Sequence, residues 1–181
     1  MFKRTLFFLV ILISFALADS SGDFVMGIAN KTNEILSKGN KENEYLDFIK
    51  KNIDMDFVSN FVLGANARNL NDNNKKEFKD LYSKYLLNNY MSKLKDYSKD
   101  LKVNKIVDKG NNVYFVESTT KDKNGTLVNV NFRVVKKESY KITDIIAEGI
   151  SFIGTLRTDV NSSIQQNGFE KFMEDLRVKS R

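Results

Sequence analysis

Apolar side chains recur every three or four positions through the first half of this chain and every second position in a stretch after Ser98, then return to the longer period at the end. That switch predicts helices, then strands, then helices. Ser20 and Ser21 stand where they can cap a first helix over about 23–37, with Phe24, Ile28, Ile35 and Leu36 near helical spacing and Lys38-Gly39-Asn40 ending it. A second helix is predicted over about 41–52, carrying Tyr45, Leu46, Phe48 and Ile49. A third, over about 55–68 after Asp54, carries Phe57, Val58, Phe61, Val62 and Leu63. The strongest helical pattern follows Asn71 and runs to about Tyr97, with Phe78, Leu81, Tyr82, Tyr85 and Leu86 at i, i+3, i+4, i+7 and i+8.

Four segments of period two follow, near 101–108, 113–121, 127–136 and 140–148, rich in Val, Ile, Phe, Tyr and Thr. Their short connections make neighbouring strands antiparallel, so a four-stranded meander is expected. Asn124-Gly125 reads as a two-residue hairpin turn flanked by Lys123 and Thr126. In that register one face carries Val113, Phe115, Thr119, Val128, Val130, Phe132 and Val134, and the other Asn129, Asn131 and Arg133. Two further helices, about 152–166 and 168–179, close the chain, the last with Phe169, Phe172, Met173 and Leu176 on one side. No repeat or linker divides the sequence, and the order describes a single α+β domain with helices packed on the apolar face of the sheet.

The first eighteen residues stand apart from this pattern. Lys3 and Arg4 precede an apolar run from Leu6 to Phe15, and Ala16-Leu17-Ala18 offers a small-residue cleavage site. The run falls short of the roughly 20 residues that span a bilayer. Residues 1–18 are therefore expected to be an export signal cleaved after Ala18, leaving 19–181 as one exported domain.

The chain has no histidine, cysteine, tryptophan or proline. Without His and Cys there is no imidazole base, no thiolate nucleophile and no ordinary zinc or haem ligand. No phosphate-binding loop, nucleophile elbow or calcium loop occurs either. An enzyme is not expected, nor a metal or cofactor. Removing Lys3 and Arg4 with the leader changes 29 basic and 23 acidic residues to 27 and 23, a net charge of +4. The lysines are scattered without aromatic interleaving, which argues against nucleic acid. They describe a solvated face, or one with weak attraction for anionic headgroups or an acidic partner.

Two constellations allow two readings each. Tyr82, Tyr85, Tyr90 and Tyr97 lie in or beside the stripe of the long helix, either as core with hydroxyls at the rim or as the lining of a cavity mouth. Asp144, Glu148, Arg157 and Asp159 gather around the last strand and the helix after it. As structure they would hold an arginine against an acid; as chemistry they would pair carboxylates for acid–base work, as in a hydrolase using Asp144 and Glu148.

The stretch Tyr140-Lys-Ile-Thr-Asp-Ile-Ile-Ala-Glu-Gly-Ile-Ser-Phe-Ile-Gly-Thr-Leu-Arg157, with Gln165-Gln-Asn-Gly168 and Phe169 to Leu176, resembles the C-terminal signature of the MlaC family. These are the periplasmic phospholipid carriers of the maintenance-of-lipid-asymmetry pathway, also called the toluene-tolerance auxiliary family. Asp56-Phe57, Val62-Leu63-Gly64 and the helix from Phe78 to Tyr90 resemble that family's upstream elements in the same order. Tyr140 stands where the family commonly has tryptophan.

The resemblance implies a helix-and-sheet domain enclosing an apolar cavity for acyl chains, with the headgroup outside. It implies a soluble periplasmic carrier moving phospholipid between outer and inner membranes, bound lipid being its cargo. Its implied partners are an inner-membrane ATP-driven complex with an MCE-type component and an outer-membrane lipoprotein associated with a porin; a monomer is expected. Residues expected to line the cavity are Phe61, Val62, Tyr85, Leu86, Val113, Phe115, Val128, Val130, Phe132, Ile145, Ile150, Phe152 and Leu156, for which ordinary core is the competing reading. The alternative function is a periplasmic chaperone or adaptor with an exposed apolar groove for protein.

Overall fold

A computed structural model describes residues 20–39, 42–98, 100–122 and 124–180. The expected export signal lies outside them. The fold starts at a capping box: Ser20 Oγ accepts from Asp23 N at 3.1 Å, and the Asp23 carboxylate accepts from the Ser20 hydroxyl at 2.7 Å and from Ser20 N at 3.2 Å. Those two bonds hold the Asp23 carboxyl below its ordinary range. Helix α1 (Ser21–Ser37) buries Val25, Ala29, Thr32 and Ile35, a stripe one residue beyond the expected Phe24 and Ile28, which sit half-buried at its edge.

Helix α2 (Glu42–Asn52) leads into α3 (Met55–Leu63), whose N-terminus is fixed by a buried carboxylate. Asp54 Oδ1 accepts from Phe57 N at 3.1 Å, Oδ2 pairs with Lys137 Nζ at 2.6 Å, and the Asp54 N–H donates to Ile142 O at 2.9 Å. Hydrogen bonding to Asp54 raises the Lys137 ammonium above its ordinary value. The expected third helix stops five residues early, because Gly64 turns to φ 56°, ψ −126°, a conformation that a Cβ disfavours, and the chain continues as a 3₁₀ segment, Gly64–Asn69. Asn71 then caps α4 (Asp72–Ser98), its Oδ1 accepting from Asn74 N at 2.8 Å.

Strands β1 (Lys102–Asp108), β2 (Val113–Lys121), β3 (Leu127–Lys136) and β4 (Tyr140–Ala147) form the expected antiparallel meander. A fifth strand, β5 (Ile150–Ser151), is added to it. Glu148 and Gly149 adopt positive φ of 48° and 80°, folding the chain back so that Ile146 opposes Ser151. Helices α5 (Phe152–Asn167) and α6 (Phe169–Lys179) complete the α+β order.

The β2–β3 hairpin corrects the predicted faces. Asp122 N donates to Thr126 O at 2.9 Å, and Asp122 Oδ1 accepts from the backbone N–H groups of Asn124 and Thr126, so it is Asp122 that closes the turn with Thr126, one position earlier than the expected flank. Gly125, at φ 82°, occupies the left-handed position that such a loop needs. The register becomes Val116 opposite Phe132 and Thr120 opposite Val128, one residue from the expected one, and a one-residue slip exchanges the faces of a strand. The inward residues of β2 are Val116, Ser118 and Thr120; Val113, Phe115 and Thr119 lie on the other face with Asn129, Asn131 and Arg133.

The apolar core falls into two clusters. One is helical, with Val58, Val62, Leu63, Phe78, Tyr82, Leu156, Phe172 and Met173 at its centre. The other lies between α1 and the sheet, with Val25, Ala29, Val116, Val130, Phe132, Val134 and Ile142. Ile53 packs against both, and its backbone bridges Ile142 on the β4 edge.

Candidate functional site

The thirteen residues expected to line a cavity divide among these surfaces. Val62 and Leu156 are buried in the helical cluster, with Phe61, Tyr85, Leu86 and Phe152 half-buried around it. Val130 and Phe132 are buried in the sheet cluster, at 4% and 8% exposure, with Val128 and Ile145 half-buried beside them. Three candidates are not brought to either group. Val113 and Phe115 stand on the opposite sheet face for the register reason given above, and Ile150 projects from the β4–β5 turn at 67% exposure.

What remains is two sets of half-buried apolar side chains that meet at Ile53. One set, on α3, α4 and α5, includes Phe61, Leu81, Tyr85 and Leu86; the other, on α1 and the sheet, includes Ile28, Val128 and Ile145. Ile53 itself was missed in the sequence, since it falls between two helices where no periodicity marks it. Its legible signal is the following Asp54, a capping residue type whose own non-helical backbone separates α2 from α3.

A pocket of about 110 Å³ opens between α4, α5 and α6, walled by Tyr82, Tyr85, Val160 and Phe172, with Asp159 and Lys179 at its lip. A water molecule takes about 30 Å³ of liquid, so this volume holds a few waters rather than an acyl chain. The tyrosine readings separate here: Tyr82 is helical core, Tyr85 is half-buried at this pocket, and the side chains of Tyr90 and Tyr97 lie outside the described ones.

The polar constellation at the β4–α5 junction is a set of caps. Asp144, 4% exposed, accepts from Ser151 Oγ at 2.7 Å and Ile153 N at 3.2 Å, while Ser151 Oγ accepts from Gly154 N at 3.0 Å. The carboxylate thus faces the N-terminus of α5, where unpaired N–H groups favour an anion. Glu148 turns away to accept from Asn129 N, and Asp159 lies at the pocket lip.

Arg157 pairs with no acid among the described residues, against the structural reading; α5 turns it towards α3. Its guanidinium carbon lies 4.9 Å from the centre of the Phe61 ring, and a Cβ on Gly64 would stand 3.0 Å from its Nη2. The signature arginine and the glycine of Val62-Leu63-Gly64 are therefore neighbours, and Asn161 joins the same helices by donating to Val62 O at 2.9 Å. Gly64→Ala is expected to cost about 1–2 kcal/mol from its positive φ alone, read as a lower midpoint in denaturant unfolding. Adding Arg157→Ala should recover only the part due to the close contact.

Among the described residues no helix is long and apolar enough to cross a membrane. A comparison with curated protein sequences finds no significant match. Among solved structures, the fold is similar to a phospholipid-binding protein from Ralstonia solanacearum determined in complex with a phospholipid. The TM-score is 0.72 and the identity 18%, covering 87% of this chain and 92% of that one. The family model for the MlaC protein matches residues 21–178, nearly the whole described chain. The chain belongs to the MlaC family.

Proposed function

We propose that this protein binds phospholipid without transforming it, holding the acyl chains between the half-buried apolar sets on the helices and the sheet and leaving the headgroup at the surface. The observation that carries the reading is the family match over residues 21–178 on a fold shared with a protein that holds a phospholipid. The position of Ile53 supports it, since among the described residues it packs against both apolar clusters, which have no buried residue in common. Burying a methylene is worth about 0.8 kcal/mol, so two chains of about 15 carbons need roughly 24 kcal/mol of apolar contact to leave a bilayer. Half-buried Leu, Ile, Val and Phe side chains supply that kind of surface.

In the finer form of the proposal the protein is a periplasmic shuttle between outer and inner membranes, exported by residues 1–18. It exchanges lipid with an inner-membrane MCE-type ATP-driven complex and an outer-membrane lipoprotein–porin complex. With no nucleotide-binding loop in the sequence, the energy for direction is assigned to those partners. The test is extraction: purified protein is treated with organic solvent and the extract read by mass spectrometry. About one phospholipid per chain is expected; protein that is lipid-free and also takes up none from vesicles overturns the reading.

A further inference from the structure

The sheet covers one of its faces with α1 and leaves the other open over β1, β2 and β3. Lys102, Lys105, Lys121 and Arg133 are exposed and, by strand register, on that open face. Lys109, exposed at the end of β1, joins them, with its Nζ 5.9 Å from the centre of the Phe115 ring. None of these five cations makes an ion pair with a described residue. The acid that shares the strands' open side is Glu117, opposite Lys105. Of the other nearby carboxylates, Asp108 lies opposite Tyr114 on the other face and accepts from Gly110 N, Asp122 accepts within its hairpin turn, Glu148 accepts from Asn129 N, and Asp144 lies beneath α5. By register, and among the described residues, five positive charges and one negative therefore share this face over a floor of half-buried Val107, Val113, Phe115 and Val135.

We propose that this open face of β1–β3 docks on an anionic bilayer surface. The chemistry of the cations favours lipid over protein. Four of the five are lysines, compact charges on flexible stems that suit a mobile array of phosphates better than the fixed, planar geometry that selects arginine. Apart from Leu127, which projects beside Lys121 at 68% exposure, the described apolar side chains of this face are half-buried, whereas protein interfaces concentrate their energy in projecting Trp, Tyr and Arg seated in pockets. Juxtaposed lysines near a negatively charged membrane are each attracted to its surface potential, and the attraction fades within a Debye length. The proposal does not depend on the carrier reading, because docking and cargo are measured apart.

The test is co-sedimentation of the full chain with vesicles of phosphatidylcholine alone or mixed with phosphatidylglycerol, at low and high salt. Binding is expected to the mixed vesicles only, and to be lost at high salt. Combined Lys102→Glu, Lys105→Glu and Lys109→Glu should weaken it by at least about tenfold, with the circular dichroism spectrum and extracted lipid content unchanged. Reversing Lys50, Lys76 and Lys84, exposed on α2 and α4, should leave binding as it was. A wild-type chain that ignores the mixed vesicles overturns the proposal, as does a β1 variant that binds as well as wild type. Loss of cellular function in that variant, with no vesicle binding by the wild type, overturns it in favour of an acidic protein partner.

Discussion

Asp144→Ala is expected to destabilise the fold by about 2–4 kcal/mol, read as a lower midpoint in denaturant unfolding with an unchanged slope. The carboxylate is buried and serves two donors, Ser151 Oγ at 2.7 Å and Ile153 N at 3.2 Å. Alanine removes both acceptors at once, leaving a half-buried hydroxyl and a buried helix N-terminal N–H without them, and withdraws the anion from the positive end of α5. Losing a helix cap costs about 0.5–2 kcal/mol, and orphaning a buried donor about 1–3 kcal/mol. Asp144→Asn keeps an oxygen in place and should cost about half as much. Glu148→Gln, at an exposed turn where one oxygen still accepts from Asn129 N, should stay within about 0.5 kcal/mol of wild type. A hydrolase using both carboxylates predicts something else, an activity lost equally in Asp144→Asn and Glu148→Gln while stability holds. Asp144→Ala without a change in midpoint would contradict the capping role.

The elements were legible because each has a strong local signal. Ser20, Asp54 and Asn71 stand at the expected helix starts with cap bonds, and β2 and β3 begin and end at the expected residues. What the pattern could not decide was phase. Along β2 the alternation Val113, Phe115 against Tyr114, Val116 offers apolar residues on both sides, so the choice of face rested on the hairpin turn. Asn124-Gly125 reads as a two-residue turn until Asp122 is counted as the side chain that closes the turn one position earlier. One residue of loop then moved Val113 and Phe115 from the expected lining to the open face. Arg157 was legible as a signature and misassigned as a contact. The sequence offers an acid as its partner, but the geometry of α5 against α3 gives it the ring of Phe61, which is 96 positions away in the chain and marked by no local pattern. The division between core and lining was the least legible of all, since a cavity and a core are made of the same side chains and differ only in what they leave unfilled.

That difference sets where a charge should be introduced. Val130 and Phe132 are packed under α1, and an unpaired charge at either position must be desolvated within the core, so Val130→Glu and Phe132→Lys are expected to unfold the protein and say little about cargo. Ile145, opposite Phe132 in the sheet, and Leu86 on α4 are only half-buried. A lysine there can carry its ammonium to water along its own stem, keeping the fold, while any acyl chain laid between helices and sheet must meet that charge. Ile145→Lys and Leu86→Lys are each expected to lower the phospholipid recovered per chain by more than about tenfold, which corresponds to a loss of about 1.4 kcal/mol or more of lipid binding, with circular dichroism and unfolding midpoint close to wild type. Val113→Lys and Phe115→Lys provide the contrast. They lie on the other face of the same sheet, so their lipid content should match wild type. Full lipid content in folded Ile145→Lys and Leu86→Lys would place the acyl chains elsewhere, and a loss at Val113 or Phe115 instead would move the cargo to the open face.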